Sequence, residues 1–446
     1  MAEPAGPSQP QQRMSALGAA FLGVGAMVGA GIFALLGQAG AVAGSAVWLS
    51  FLLAGAIATL LGYMVVKLGT RYPSRGGFVA YLVEAFGNGR LVGITSWLLY
   101  FVLLIVTSMV AVSFGAYGSS LFFGDDANRI WDNVLASLIV VAMAVLNLLG
   151  PKIVAKAQSL IVWVLLAVFA FFAVVTLADI DPSLLSPSDW PSWSKIVASV
   201  ALTFFAYLGF SVITFTAGDL DDPKRSLPKA MYLSLGITVV LYIAVSLGVF
   251  GALTVDEVIE HGDTALAEAA RPALGDAGFT IMAVAALLAT AGATNATLFG
   301  SSNLTKMLAQ LGQFPPIFGK GSRLGPNGGL IITASIVFVV ANVVNLSAIA
   351  SVGSACALVV FLMVGIAGYR RRAETGANGP MVLAGVGATA LVLAFFAVDT
   401  LQNAPETFTA IIGIGLLAVV LDVIWKRVRG TTPSDEPEAS PVTPTA

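Results

Sequence analysis

The residues best placed to do chemistry in this chain carry no reactive side chain. Residues 23–37, "GVGAMVGAGIFALLG", hold Gly23, Gly25, Gly29, Gly31 and Gly37 inside an apolar run. A second run, "FFAYLGFSVITFTAG", sets Gly209 among aromatic residues. Each glycine in a helix interior costs about 1 kcal/mol relative to alanine, so both runs read as helices built to open. A break near Gly29-Ala30-Gly31 frees N–H groups at the start of the outer half-helix, where the dipole's positive end favours a carboxylate. The inner half then ends in free carbonyls, which suit an ammonium group. The stretch Phe205–Phe210 supplies a second set. Together they could hold a zwitterion without any charged side chain. The competing use of such glycines is close helix packing, since Gly25 and Gly29 form a GxxxG.

Side-chain chemistry is sparse. The 446 residues include one Cys and one His. Cys356 lies without a partner in an apolar run, and His261 sits among acidic residues in a loop. Disulfides, Cys-type metal sites and a nucleophile–base set are therefore not expected. The reading is no enzyme, no cofactor and no metal, and no nucleic-acid partner.

The elements that must position these glycines lie in a membrane. The chain is 57% hydrophobic and only 10% charged, too little charge to cover a soluble surface of this size. Apolar runs of about 20 residues recur, each long enough to cross a bilayer core. The pattern predicts an all-α integral membrane protein with twelve spans, at 14–40, 44–69, 91–121, 131–150, 155–178, 193–217, 230–254, 277–310, 328–346, 348–369, 380–399 and 407–427. The turn between the ninth and tenth must come from "ANVVNLSA". Residues 1–13 and 431–446 are polar and Pro/Ser-rich and read as disordered tails. With both termini cytoplasmic, all of the 22 Lys and Arg but Arg129, Lys195 and Arg271 fall inside, as the positive-inside rule requires. Asp125, Asp126, Asp181, Asp256 and Glu260 fall outside. No convincing signal-peptide cleavage site follows the polar start. Of the 20 prolines only Pro380, the first residue of the eleventh span, falls within a predicted span, so a broken span must owe its break to glycine.

The two glycine-interrupted spans are the first and the sixth. An offset of five inverts the topology of a second five-span unit. Paired, interrupted spans at corresponding positions are the sequence pointer to a transporter's midplane site.

Four stretches carry a family resemblance. "GVGAMVGAGIFALLG" resembles the first-helix signature of the amino acid–polyamine–organocation (APC) superfamily, of bacterial amino acid permease type. "RYPSRGGFVAYLVEAFG" is similar to its first cytoplasmic loop, and "FFAYLGF" with "DDPKRSLPKAM" to its sixth helix and the loop after it. "ATAGATNATLFGSSN" through "GQFPPIFGK" resembles its eighth helix and exit. The resemblance implies a LeuT-like fold: a five-helix repeat at 14–178, its inverted copy at 193–372, discontinuous helices 1 and 6, and peripheral helices 11 and 12 at 380–428. It implies alternating-access transport of amino acids or related amines in the inner (plasma) membrane. On the same resemblance Gly29, Ala30 and Gly31 receive the substrate carboxylate, and carbonyls near Ala26, Met27, Phe205 and Leu208 the amino group. Phe205 or Phe210 gates the site. Tyr207, Gly209, Asn295 and Tyr100 line it, the last two with packing as the alternative.

The departures bear on coupling and substrate. Where relatives often carry a Glu pair, this chain has Gly218 and Asp219; Ser211 follows the sixth-helix break, Leu165 replaces a helix-five lysine, and Asn303 with Lys306 replaces a late helix-eight arginine. No predicted span has an ionisable residue near its centre, where a proton relay is expected. Glu84 and Asp219 stay as proton candidates towards the inner face. Thr290 and Thr294 are candidate sodium ligands, with ordinary hydrogen bonding as the alternative; exchange without an ion is the third option. A pocket without carboxylate, Arg or Lys suits a neutral, small or apolar amino acid. Amines or other small metabolites are the runner-up, and a permease-like sensor a further one. Residues 256–274, "DEVIEHGDTALAEAARPAL", read as a helical lid on the outer face, and Arg370, Arg371 and Arg372 as a stop signal meeting anionic lipid. Arg71 and Arg75 are positive-inside anchors or gate partners of Asp219 or Asp221. No oligomeric state is indicated.

Overall fold

A computed structural model describes residues 14–429 except Arg75, Gly150, 320–324 and Asn345. Both tails read from the sequence as disordered, and Arg75, lie outside the described residues. The described residues form helices and turns, with one isolated bridge between Met14 and Leu220. The first apolar run splits into α1 (Ala16–Ala30) and α2 (Ile32–Ala43), with α1 capped by the Ser15 hydroxyl on Gly18 N–H at 3.1 Å. Next come α3 (Val47–Arg71), the short α4 (Phe78–Phe86), α5 (Arg90–Phe123), α6 (Arg129–Leu149) and α7 (Pro151–Ala178). The sixth run splits again, into α8 (Trp193–Ala206) and the single turn α9 (Ser211–Thr214). Beyond it lie α10 (Pro223–Phe250), the loop helices α11 (Val255–His261) and α12 (Ala265–Glu268), and α13 (Arg271–Gln310). The chain closes with α14 (Gly328–Val343), α15 (Leu346–Arg370), the one-turn α16 (Arg372–Thr375), α17 (Gly379–Asn403) and α18 (Pro405–Arg429).

Among the described residues, ten helical stretches are long and apolar enough to cross a bilayer, the α2–α3 run counted as one; α1 and α14 are shorter apolar helices. The stretch through α8 and α9 is 89% buried and α18 only 11%. The outermost helices carry their exposed face as Leu138, Val141 and Val145 on α6 and Leu416, Val420 and Ile424 on α18. Apolar surface of that extent is stable only against lipid. The chain is a multi-pass, all-helical membrane protein. α10 starts at Pro223, ahead of the expected span 230–254, and carries Pro228 in that extension, so proline enters the helix though not the span. It is tolerated in the second turn, near the helix end.

At the core α5 packs along α13, α3 along α10, and α1 against both α10 and α13. α4 is held to the end of α15 by Arg371, whose Nε donates to Glu84 C=O at 2.9 Å and whose Nη1 pairs with Glu374 at 2.5 Å. Arg370 lies over the Phe86 ring at 4.9 Å and Arg372 over Tyr369 at 4.1 Å.

Candidate functional site

The first break falls at Gly31. The α1 ladder closes with Gly31 N–H on Met27 C=O at 2.7 Å, and the α2 ladder opens with Leu35 N–H on Gly31 C=O at 2.9 Å. The first-turn N–H groups of α2 (Ile32, Phe33 and Ala34) and the carbonyls of Val28, Gly29 and Ala30 thus have no place in either ladder. This corrects the expected donor set. Gly29 and Ala30 belong to the last turn of α1, as do Ala26 and Met27, and the Gly31 amide is already taken by Met27. The donors outside the ladder begin one residue further on, and the first of them, Ile32 N–H, already faces the Tyr242 hydroxyl, which leaves those of Phe33 and Ala34.

The second break runs through Tyr207 and a 3-10 turn, Leu208–Phe210, before α9. Neither Gly31 nor Gly209 has a positive φ, so their need for glycine is one of space. A Cβ on Gly209 would sit 2.3 Å from Met27 N, and one on Gly31 2.1 Å from the Tyr242 hydroxyl and 2.6 Å from Ala206 C=O. The two broken helices meet backbone to backbone. Gly29 meets α13 the same way, its Cβ falling 2.1 Å from Ala289 C=O. Packing and breaking are therefore divided between Gly29 and Gly31.

Tyr242 of α10 joins the two breaks, and sequence reasoning missed it. Its hydroxyl lies 2.7 Å from Met27 C=O and 3.1 Å from Ala206 C=O. One buried proton is shared between the carbonyl ends of α1 and α8. Nothing in the spacing of "VLYIAV" distinguishes this tyrosine from one packed in a span; its partner Met27 is 215 residues away.

The remaining expected residues are placed as follows. Phe205 is buried, its ring tip 2.4 Å from the Cβ position of Gly353, which also faces Ile105. Phe210 instead packs on Phe361 at 5.1 Å, in one cluster with Phe204. Tyr207 donates to Phe51 C=O at 3.0 Å, and Leu208 is buried beside it. Asn295 accepts from Asn147 at 2.7 Å, and Tyr100 pairs with Thr333 at 3.1 Å. Both have internal partners, as the packing alternative required. Thr290 donates to Ala286 C=O at 2.6 Å and Thr294 to Thr290 C=O at 2.8 Å, within α13. Each hydroxyl oxygen still has lone pairs to offer. Glu84 is exposed on α4, away from the breaks. Asp219 ends a 3-10 turn, its side chain outside the described part.

Residues 255–268 are helical, and the expected helical segment 256–274 continues through Arg271–Leu274 to a break at Gly275 (φ 62°). A capping box starts α11, the Thr254 amide meeting Glu257 at 2.7 Å and holding that carboxyl below the usual range. This segment packs over α2.

Comparison with known proteins agrees with this geometry. A family model described as "Amino acid permease" matches residues 14–420. The Inner membrane transport protein YbaT of Escherichia coli is 31% identical over 91% of this chain and 94% of its own length. The Methylthioribose transporter of Bacillus subtilis is 26% identical over 79% of this chain and 80% of its own. The Branched-chain amino acid permease BcaP of Lactococcus lactis is also 26% identical, over 80% and 82%. A match of this length, on a membrane chain with two opposed helix breaks, is what a transporter of small molecules provides: the chain belongs to the amino acid permease family, within the APC superfamily.

Proposed function

We propose that the chain is a secondary-active carrier of neutral amino acids, small or apolar, working by alternating access as an uptake symporter or exchanger in the inner (plasma) membrane, with both termini cytoplasmic. The observation that carries this reading is the meeting of the breaks at Gly31 and Gly209, bridged by Tyr242. The N-terminal amides of α2 suit a carboxylate and the carbonyls of Val28–Ala30 an ammonium. Unpaired backbone at this depth is tolerable where it lines a cavity. Phe205, next to the second break, is assigned as the aromatic gate; the buried place of Phe210 in its aromatic cluster argues against it. No Lys, Arg, Asp or Glu approaches the breaks among the contacts described, which favours a net-neutral substrate.

Twelve spans in two inverted repeats, 14–178 and 193–372, are part of the proposal. Support comes from packing that repeats when the halves are exchanged, with α1–α2 matched to α8–α9, α3 to α10, α5 to α13, α6 to α14 and α7 to α15. α1 packs on α10 and α8 on α3; α5 packs on α15 and α13 on α7; α1 packs on α7 and α8 on α15. Unrelated halves have no reason to share these choices.

The test is uptake of labelled neutral amino acids into liposomes, with a proton gradient, a sodium gradient or neither. Saturable uptake of a neutral amino acid is the expected result. A second reading, carriage of another small metabolite, is favoured by the named substrate of the Bacillus relative. Movement of such a compound with no amino acid transported would replace the first reading.

A further inference from the structure

The segment over α2 holds a carboxylate without a cation. The 3-10 turn Gly262–Thr264 joins α11 to α12 and packs on both α2 and α5. Approach is close, since a Cβ on Gly37 would lie 2.4 Å from Gly262 C=O. In this turn Asp263 Oδ1 accepts from Gln38 Nε2 at 3.4 Å. Asp263 forms no ion pair among the described residues. The groups around it, element by element, supply no positive charge. α2 offers only Gln38; α5 offers Tyr117, whose buried hydroxyl has no hydrogen-bond partner. α6 offers Asp132, with Arg129 acting on that carboxylate. His261 ends α11 exposed, and Glu268 of α12 is paired with Arg271 at 2.6 Å. Burial first, then the charge of Asp132, push the Asp263 carboxyl above its usual range, against the pull of the Gln38 hydrogen bond.

We propose that Asp263 is a proton site that sets how firmly the 255–268 lid sits on α2. With the carboxyl ionised, the seated lid holds a half-buried negative charge facing a second one, which favours release into water. With the carboxyl protonated, that cost is gone and the carbonyl oxygen still accepts from Gln38. The sign follows by linkage: the seated lid has the higher pKa, so seating takes up a proton. The seated fraction is greatest below the ordinary carboxylate range and falls as pH rises from there through the seated-state value. That this governs the outer gate rests on the proposed function; the lid motion does not.

The experiment measures the lid alone, without substrate. Spin labels at Glu260→Cys on the lid and Lys195→Cys on α8, both exposed positions, are placed in a Cys356→Ala background in nanodiscs. Pulsed EPR distances are then recorded from acid to neutral pH. The seated-to-released ratio is expected to fall by up to tenfold per pH unit across the window, the slope of one proton. Asp263→Asn, which keeps the acceptor and removes the charge, is expected to stay seated with no slope. A flat wild-type profile, or an Asp263→Asn profile with the wild-type slope, overturns the proposal. Because no transport is measured, either result stands whether or not amino acids are carried.

Discussion

Replacing Tyr242 by Phe removes one oxygen from the junction of the two breaks and leaves the ring. The ring keeps its packing against Tyr207 at 4.9 Å and Phe51 at 5.2 Å between centroids. Met27 C=O retains the Gly31 amide at 2.7 Å, whereas Ala206 C=O loses the hydroxyl at 3.1 Å. A buried carbonyl left without its donor costs about 1–3 kcal/mol. If the bridged arrangement is the one that holds substrate, the whole penalty falls on binding, and roughly a 5- to 150-fold rise in apparent KM is expected. General loss of stability would also follow from removing any buried hydroxyl, so a control is needed. Thr203→Val is that control: its buried hydroxyl, within α8 and outside the break, bonds Ser50 C=O of α3 at 3.0 Å. Both variants are measured in liposomes for initial uptake rates and in detergent for thermal unfolding. The expectation is a similar fall in Tm for the two and a raised KM for Tyr242→Phe alone. Equal KM values in the two variants would refute the argument that Tyr242 couples the breaks.

Gly209→Ala drives a Cβ to 2.3 Å from Met27 N, a backbone atom that cannot swing aside, so overpacking of at least about 1–3 kcal/mol is expected to lower Tm and abolish uptake; wild-type uptake would mean that the breaks do not touch during the cycle. Thr290→Val with Thr294→Val should leave uptake unchanged with or without a sodium gradient if the two hydroxyls serve only to bond the preceding turn of α13. Loss of sodium-driven uptake in that variant would make the two oxygens ligands instead. Thr254→Ala deletes the capping box of α11, worth about 0.5–2 kcal/mol, and should speed hydrogen exchange of the α11 amides by roughly 2- to 30-fold; unchanged exchange would show that the lid is held by something other than its own cap.

The sequence disclosed the breaks and hid what satisfies them, for a physical reason. Glycine's cost to a helix is local, so a cluster such as 23–37 is legible without any knowledge of neighbours. What glycine allows here is close approach, and the atom approached belongs to another segment: Met27 N for Gly209, Ala206 C=O for Gly31. Spacing alone therefore points to Gly29–Gly31 as donors, while the Gly31 amide bonds Met27 C=O and the Ile32 amide faces the Tyr242 hydroxyl. The partners of Asn295 and Tyr100 were hidden on the same ground, since Asn147 and Thr333 are 148 and 233 residues distant. Tyr242 is the extreme case. Opening two helices at one depth creates two carbonyl ends that repel each other and face no water. A positive charge between them would solve this, as would a single hydroxyl able to reach both. This chain places the hydroxyl there on α10, one of the helices bordering both breaks. The fixed proton of Tyr242 thus partly neutralises the junction by itself; on the proposed function, the carbonyls of Val28–Ala30 then remain for the substrate's ammonium. On this argument the absence of charged side chains from the contacts described at the breaks is a consequence of how the junction is built, and it is what the proposed function, carriage of a net-neutral zwitterion, rests on.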